Sequence, residues 1–82
     1  MIDVLYFAWL RERIGLAKES VETSAQTVAD LVTELAAREE RYALAFADTS
    51  ALRVAVDQEL ATFDAPLKDV REVAFFPPMT GG

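Results

Sequence analysis

The spacing of apolar residues changes along the chain, and each change marks an element. In residues 2–9 (IDVLYFAW) both parities are apolar: Ile2, Val4, Tyr6 and Ala8 share one face, and Leu5, Phe7 and Trp9 share the other. Such a strand belongs at the centre of a sheet, because solvating either face would expose a large patch. Residues 10–14 (LRERI) are charged and short, and Gly15 after them offers a left-handed stop for a single helical turn. Its Arg11, Glu12 and Arg13 read as a solvated face. Residues 18–23 (KESVET) hold one strong apolar residue, Val21, which predicts a polar edge strand closing a hairpin with the first.

The period then lengthens. Val28, Leu31, Val32, Leu35 and Ala36 recur at i, i+3, i+4, i+7 and i+8, one stripe of an amphipathic helix. Thr27 stands where an N-cap is needed, with Asp30 three residues on. Residues 38–41 form a solvated turn of charge, after which Tyr42, Leu44 and Phe46 anchor a second short helix or ordered loop. Leu52, Val54 and Val56 restore the two-residue period of a half-buried strand. Asp57-Gln58 makes a tight turn into a return strand at 59–62, and turns at 64–66 and 68–69 lead to a last strand, Glu72–Phe76. Pro77 has no amide hydrogen and holds the residue before it extended, so the chain must leave the sheet there. The predicted order is strand, strand, helix, strand, short strand, strand: an α+β domain with one main helix covering one sheet face.

Composition narrows the chemistry. The 82 residues include no cysteine and no histidine, which removes thiolate nucleophiles, an imidazole base, disulfides and the commonest zinc ligands. No metal site is expected. The net charge of −6 opposes a nucleic-acid binder and favours a basic protein partner. No apolar run approaches the ~20 residues of a membrane helix, and nothing calls for an oxidising compartment, so the expected location is the cytoplasm.

The remaining candidate is the tail. Residues 77–82 (PPMTGG) end in two glycines, a coincidence expected in only about 0.5% of chains at average glycine usage. Glycine lacks a Cβ and can thread a narrow tunnel in conformations closed to other residues. Extended, such a tail reaches about 20 Å. It can therefore deliver a terminal carboxylate into a neighbour's site while the folded body stays outside.

The whole chain resembles the MoaD family, the ubiquitin-like small subunits of molybdopterin synthase. The resemblance runs from Val4-Leu5-Tyr6-Phe7-Ala8, Arg11-Glu12 and Gly15, through Tyr42-Ala43-Leu44-Ala45 and Ala55-Val56-Asp57-Gln58, to the block from Glu72 to Gly82. A terminal Gly-Gly alone also suits the thiazole sulfur carrier ThiS or a ubiquitin-like protein modifier; Phe75-Phe76-Pro77-Pro78 before it is similar to MoaD in particular. A plain interaction module with an inert tail is the remaining alternative.

The resemblance implies a β-grasp domain over 1–76, its first and last strands parallel at the sheet centre, and a tail over 77–82. It implies that Gly82 is adenylated by an ATP-using, MoeB-like partner and converted to a thiocarboxylate by a sulfur donor protein. That sulfur is then given to cyclic pyranopterin monophosphate in the active site of a MoaE-like large subunit. No cofactor stays bound to the carrier, and two small and two large subunits form a heterotetramer. Pro77, Pro78, Met79, Thr80 and Gly81 would thread the tail, with Met79 and Thr80 as spacers. Phe7, Leu60 and Phe76 would form the partner-contacting patch, which Trp9 extends by its parity. In two places the chain departs from the family pattern: Val70-Arg71 replaces a common Gly-Asp, and Asp57-Gln58 replaces a common Asn-Gly. Each departure is expected to cost about 1 kcal/mol of turn stability.

Overall fold

The structure, a computed structural model, describes residues 1–78. Its elements are β1 (Ile2–Tyr6), α1 (Trp9–Ile14), β2 (Lys18–Val21), α2 (Val28–Arg38), α3 (Glu40–Ala45), a 3-10 turn (Thr49–Ala51), β3 (Arg53–Val56), β4 (Glu59–Ala61) and β5 (Glu72–Phe76). The five strands form one mixed sheet in the order β2-β1-β5-β3-β4. β1 and β5 run parallel, and the other neighbours are antiparallel. The first and last strands are thus adjacent at the centre, the α+β arrangement expected.

All three helices contribute buried residues to a single core with the inner face of the sheet. Ile2, Val4 and Tyr6 of β1, Val54 of β3 and Val73 and Phe75 of β5 meet Leu10 and Ile14 of α1, the Val28, Leu31, Val32 and Leu35 stripe of α2, and Tyr42 and Ala45 of α3. Phe75 is the hub. Its ring stacks on Tyr6 at 6.4 Å, meets Phe46 edge-on at 5.0 Å and lies 6.3 Å from Phe63. Such pairs add to the area they bury.

The Thr27 side chain caps α2 by accepting from the Asp30 amide at 3.2 Å. The Ala65 and Phe63 carbonyls accept from Val28 N and Ala29 N at 3.1 and 2.7 Å. Helix-start donors that would otherwise lack partners are thereby satisfied by the loop leading to β5.

Several boundaries differ from the sequence expectation. The first strand ends at Tyr6, not Trp9, because Ala8 takes φ 54° and Trp9 begins α1. The expected β-alternation fails there because burying Leu10 and Ile14 requires a helix running back over the core. Residues 38–41 are exposed as expected, but the break is the single extended residue Glu39: Arg38 ends α2, and Glu40 and Arg41 open α3. Arg41 Nη1 donates to the Ile14 carbonyl at 2.6 Å, tying α3 to the end of α1. Of the expected anchors there, Tyr42 and Phe46 are buried but Leu44 is 58% exposed. Tyr42 and Phe46, four residues apart, share the inner side of the helix, and Leu44, two residues from each, faces out. The second strand ends at Val21, the return strand ends at Ala61, and Leu52 lies just before β3 although it is buried.

The two turns carrying the departures from the family pattern meet in space. Asp57 and Gln58 both have positive φ, 49° and 71°, the primed turn that suits a two-residue hairpin. The Asp57 carboxylate accepts from the amides of Arg71 and Glu72 at 3.0 Å each, and Asp57 N donates to Glu72 O at 2.8 Å. The β3–β4 turn therefore clamps the start of β5. Near Val70 the left-handed residue is Asp69, at φ 63°, so Val70 itself is not strained and no glycine is needed there. The backbone reason for a cost at Val70-Arg71 is therefore lacking, whereas at Gln58 the positive φ supplies one.

Candidate functional site

The helices leave the other sheet face uncovered. Registers place Leu5 opposite Ala74, Ala74 opposite Ala55 and Ala55 opposite Leu60, one apolar row across β1, β5, β3 and β4. Phe76 lies opposite Arg53, and Phe7 follows β1 with its amide donating to the Phe75 carbonyl at 3.2 Å. On the opposite side of the row, toward the starts of β1 and β5, stand Asp3 and Glu72, paired across those two strands.

A groove of about 470 Å³ runs over this face, lined by apolar Leu5, Phe7, Ala55, Ala74, Phe76 and Pro77, with Ala8, Gln58 and Glu72 at its margins. Ala74 forms its floor and is buried, while Phe7 is 45% exposed. The wide apolar lining exists because the small side chains of Ala55 and Ala74 leave a trough between larger neighbours. This lining makes the face a candidate interaction surface.

The structure brings Phe7, Phe76 and Pro77 together at one end of this groove. Leu60 shares the face and is 74% exposed, but it lines a neighbouring hollow with Arg53, Ala61 and Phe63 instead. Trp9 is not on this face. It lines a separate cleft with Arg13, Leu44, Ala45, Asp48 and Ala51, and the Arg13 guanidinium lies 5.5 Å from its ring centre. The backbone turn at Ala8 breaks the parity that had joined Trp9 to Phe7. Pro77 and Pro78 follow β5 directly; Met79, Thr80, Gly81 and Gly82 lie outside the described residues.

Sequence reasoning missed Leu5, Ala55 and Ala74 as members of the groove, although the parities of β1, β3 and β5 carried the signal. It also missed a knot on the helical side. Glu19 of β2 places Oε2 2.8 Å from the Tyr6 hydroxyl and 2.7 Å from that of Tyr42, each of which donates to it. Its Oε1 lies 3.6 Å from Arg38 Nη1. Burial, followed by the hydrogen bond to Glu19, raises the pKa of both tyrosines. These phenols hold the first hairpin to α3 and are not available as bases. Among the described residues no cluster of acidic groups is arranged to hold a metal ion, and no helix is long and apolar enough to cross a membrane.

Comparison with known proteins places this geometry in a family. The ThiS family model matches residues 4–82. The molybdopterin synthase sulfur carrier subunit of Escherichia coli is 49% identical over 82 residues, the whole of both chains. That of Haemophilus influenzae is 38% identical, again over the whole of both. Among solved structures, SAMP1 from Haloferax volcanii superposes with a TM-score of 0.77 at 23% identity, over 99% of this chain and 98% of that one. A putative molybdopterin converting factor subunit 1 from Pyrococcus furiosus gives 0.71 at 25% identity, over 95% and 97%. The fold is thus shared well beyond recognisable sequence, and the match over residues 4–82 together with the end-to-end kinship shows that this chain belongs to the ThiS family.

Proposed function

We propose that this chain is the sulfur carrier subunit of a molybdopterin synthase. The observation that carries the reading is the 49% identity to such a subunit over the full length of both chains. The folded body serves as a handle, and the chemistry takes place at Gly82. A carboxylate oxygen is a poor leaving group, so an ATP-using partner first joins the Gly82 carboxylate to the α-phosphorus of ATP and releases pyrophosphate. Sulfide-level sulfur released by a donor then attacks the acyl carbon as HS⁻; a C–S bond forms, the acyl C–O bond breaks so that AMP leaves, and loss of the S–H proton gives the thiocarboxylate.

In the large subunit the thiocarboxylate sulfur bonds to a side-chain carbon of cyclic pyranopterin monophosphate as that carbon's bond to oxygen breaks. Water takes its place on the acyl carbon and regenerates the carboxylate. The dithiolene needs two sulfurs, so two charged carriers are consumed. Acid–base groups come from the large subunit, consistent with a chain that has no histidine or cysteine.

On this reading the groove bearing Phe7 and Phe76 docks the partner. Leu60 adds apolar surface on the β4 side, and Pro77 and Pro78 stiffen the root of the tail, lowering its ordering cost. Met79, Thr80 and Gly81 thread the tail. Two carriers and two large subunits make the assembly.

The test is intact mass spectrometry after incubation with the adenylating partner, ATP and a sulfur source. The carrier should gain the difference of one oxygen exchanged for sulfur, and a chain lacking Gly82 should not. No gain in the full chain, or an equal gain without Gly82, rejects the proposal. Isopeptide conjugates to lysines in place of the exchange would mark a protein modifier.

A further inference from the structure

The uncovered sheet face has a direction along its strands. Its middle row is apolar, one end carries Asp3 and Glu72, and the other carries Arg53 beside Phe76. Arg53 is exposed. Its Nη1 donates to the Leu52 carbonyl at 3.1 Å, and among the described residues no carboxylate lies within 4.0 Å of its guanidinium.

Resting on the reading of this face as the dock, we infer that Arg53 is a specificity-determining residue: it receives a carboxylate of the large subunit and fixes the direction in which that subunit lies across the sheet. Three observations converge on this. Phe76 is the last residue of β5, so a group held at Arg53 sits beside the point where the chain leaves the sheet. The direction of docking there decides where the tail is delivered.

The guanidinium is also suited to the task. It is weakly hydrated for a cation and presents a planar fork of donors that matches a carboxylate. With Nη1 already held by the backbone, less freedom is lost on pairing.

The third observation is charge. In a chain of net charge −6, a partner with a uniformly basic surface would meet attraction at Glu72 and repulsion at Arg53. A partner with an acid opposite Arg53 and a base opposite Glu72 is accepted in one direction only. Turned end for end, it would set like charges together at both ends, and such juxtaposition rejects wrong poses.

The test is the affinity of the carrier for its cognate large subunit, measured for the wild type, Arg53→Ala, Arg53→Lys and Arg53→Glu at about 50 and about 500 mM salt, where screening lengths differ several-fold. At low salt Arg53→Ala should bind about tenfold more weakly and Arg53→Glu about a hundredfold, mainly through faster dissociation, and both gaps should narrow at high salt. Arg53→Lys, which keeps the charge but loses the fork, should fall between wild type and Arg53→Ala. Thermal melts identify variants that fold as the wild type does. Equal low-salt affinity of folded Arg53→Ala and wild type overturns the inference while leaving the dock intact. Failure of the wild type to bind the large subunit overturns the dock reading with it.

Discussion

Gln58 holds φ 71° with a side chain that gains nothing from that conformation, whereas glycine adopts it without steric cost. Replacing Gln58 by Gly should therefore stabilise the protein by about 1 kcal/mol, a rise in melting temperature of roughly 4–8 °C for a domain of this size. Val70→Gly should do the opposite. Val70 has no positive φ and packs against the core, so glycine there removes contacts and loosens the unfolded chain. Differential scanning calorimetry of the two variants separates the two departures from the family pattern, which sequence alone had treated alike. Tyr6 gives a second residue-scale expectation. Its folded pKa lies above the ordinary value near 10, chiefly because of burial, so its protonated form favours the fold. That contribution is complete below the unfolded pKa and is withdrawn as pH rises beyond it toward the folded value. Denaturant midpoints should consequently show no tyrosine-dependent change between pH 7 and 9 and should fall above about pH 10. Tyr6→Phe should flatten part of that fall and cost about 1 kcal/mol at neutral pH, since Glu19 loses one of its two phenol donors.

At the scale of elements, α2 was legible because an apolar stripe of period 3.6 with a capping threonine is a local pattern, and it forms over Val28–Arg38 as that pattern dictates. Thr27→Ala should cost about 1 kcal/mol in equilibrium unfolding, less where the Ala65 and Phe63 carbonyls continue to hold the first amides. β5 was legible for a different reason: Pro77 stops it from one side and the turn at 68–69 from the other. Phe75→Ala, which empties the hub of the aromatic cluster, should cost about 3–5 kcal/mol and leave the domain partly unfolded at ambient temperature. The end of β1 was not legible. Apolar residues on both parities continue to Trp9, and only the need to bury Leu10 and Ile14 against the sheet explains why the chain turns at Ala8. α3 was legible only as a short helix or ordered loop, because six residues are too few for a helical period to declare itself.

Across the described molecule, all three helices lie on one side of the sheet and the groove lies on the other, so most groove side chains can be changed without opening the core. Phe76 is half-buried and outward while its neighbour Phe75 is fully buried and inward. Phe76→Ala should accordingly retain the circular dichroism and most of the melting temperature of the wild type while weakening binding to the large subunit at least tenfold, as expected of an aromatic anchor. Loss of the fold in this variant would instead assign Phe76 to the core. The sequence by itself determined the α+β class, the parallel pairing implied by the family resemblance, the main helix, and the proline stop before the tail, because each rests on local period, on residues with restricted backbones, or on a long run of matching residues. Tertiary structure alone decided which apolar side chains line the groove, that Trp9 leaves it, that Asp57 clamps the start of β5, and that Arg53 stands beside Phe76. Those are relations between residues distant in the chain, set by strand register and by competition for burial, and neither register nor competition is written in any one segment.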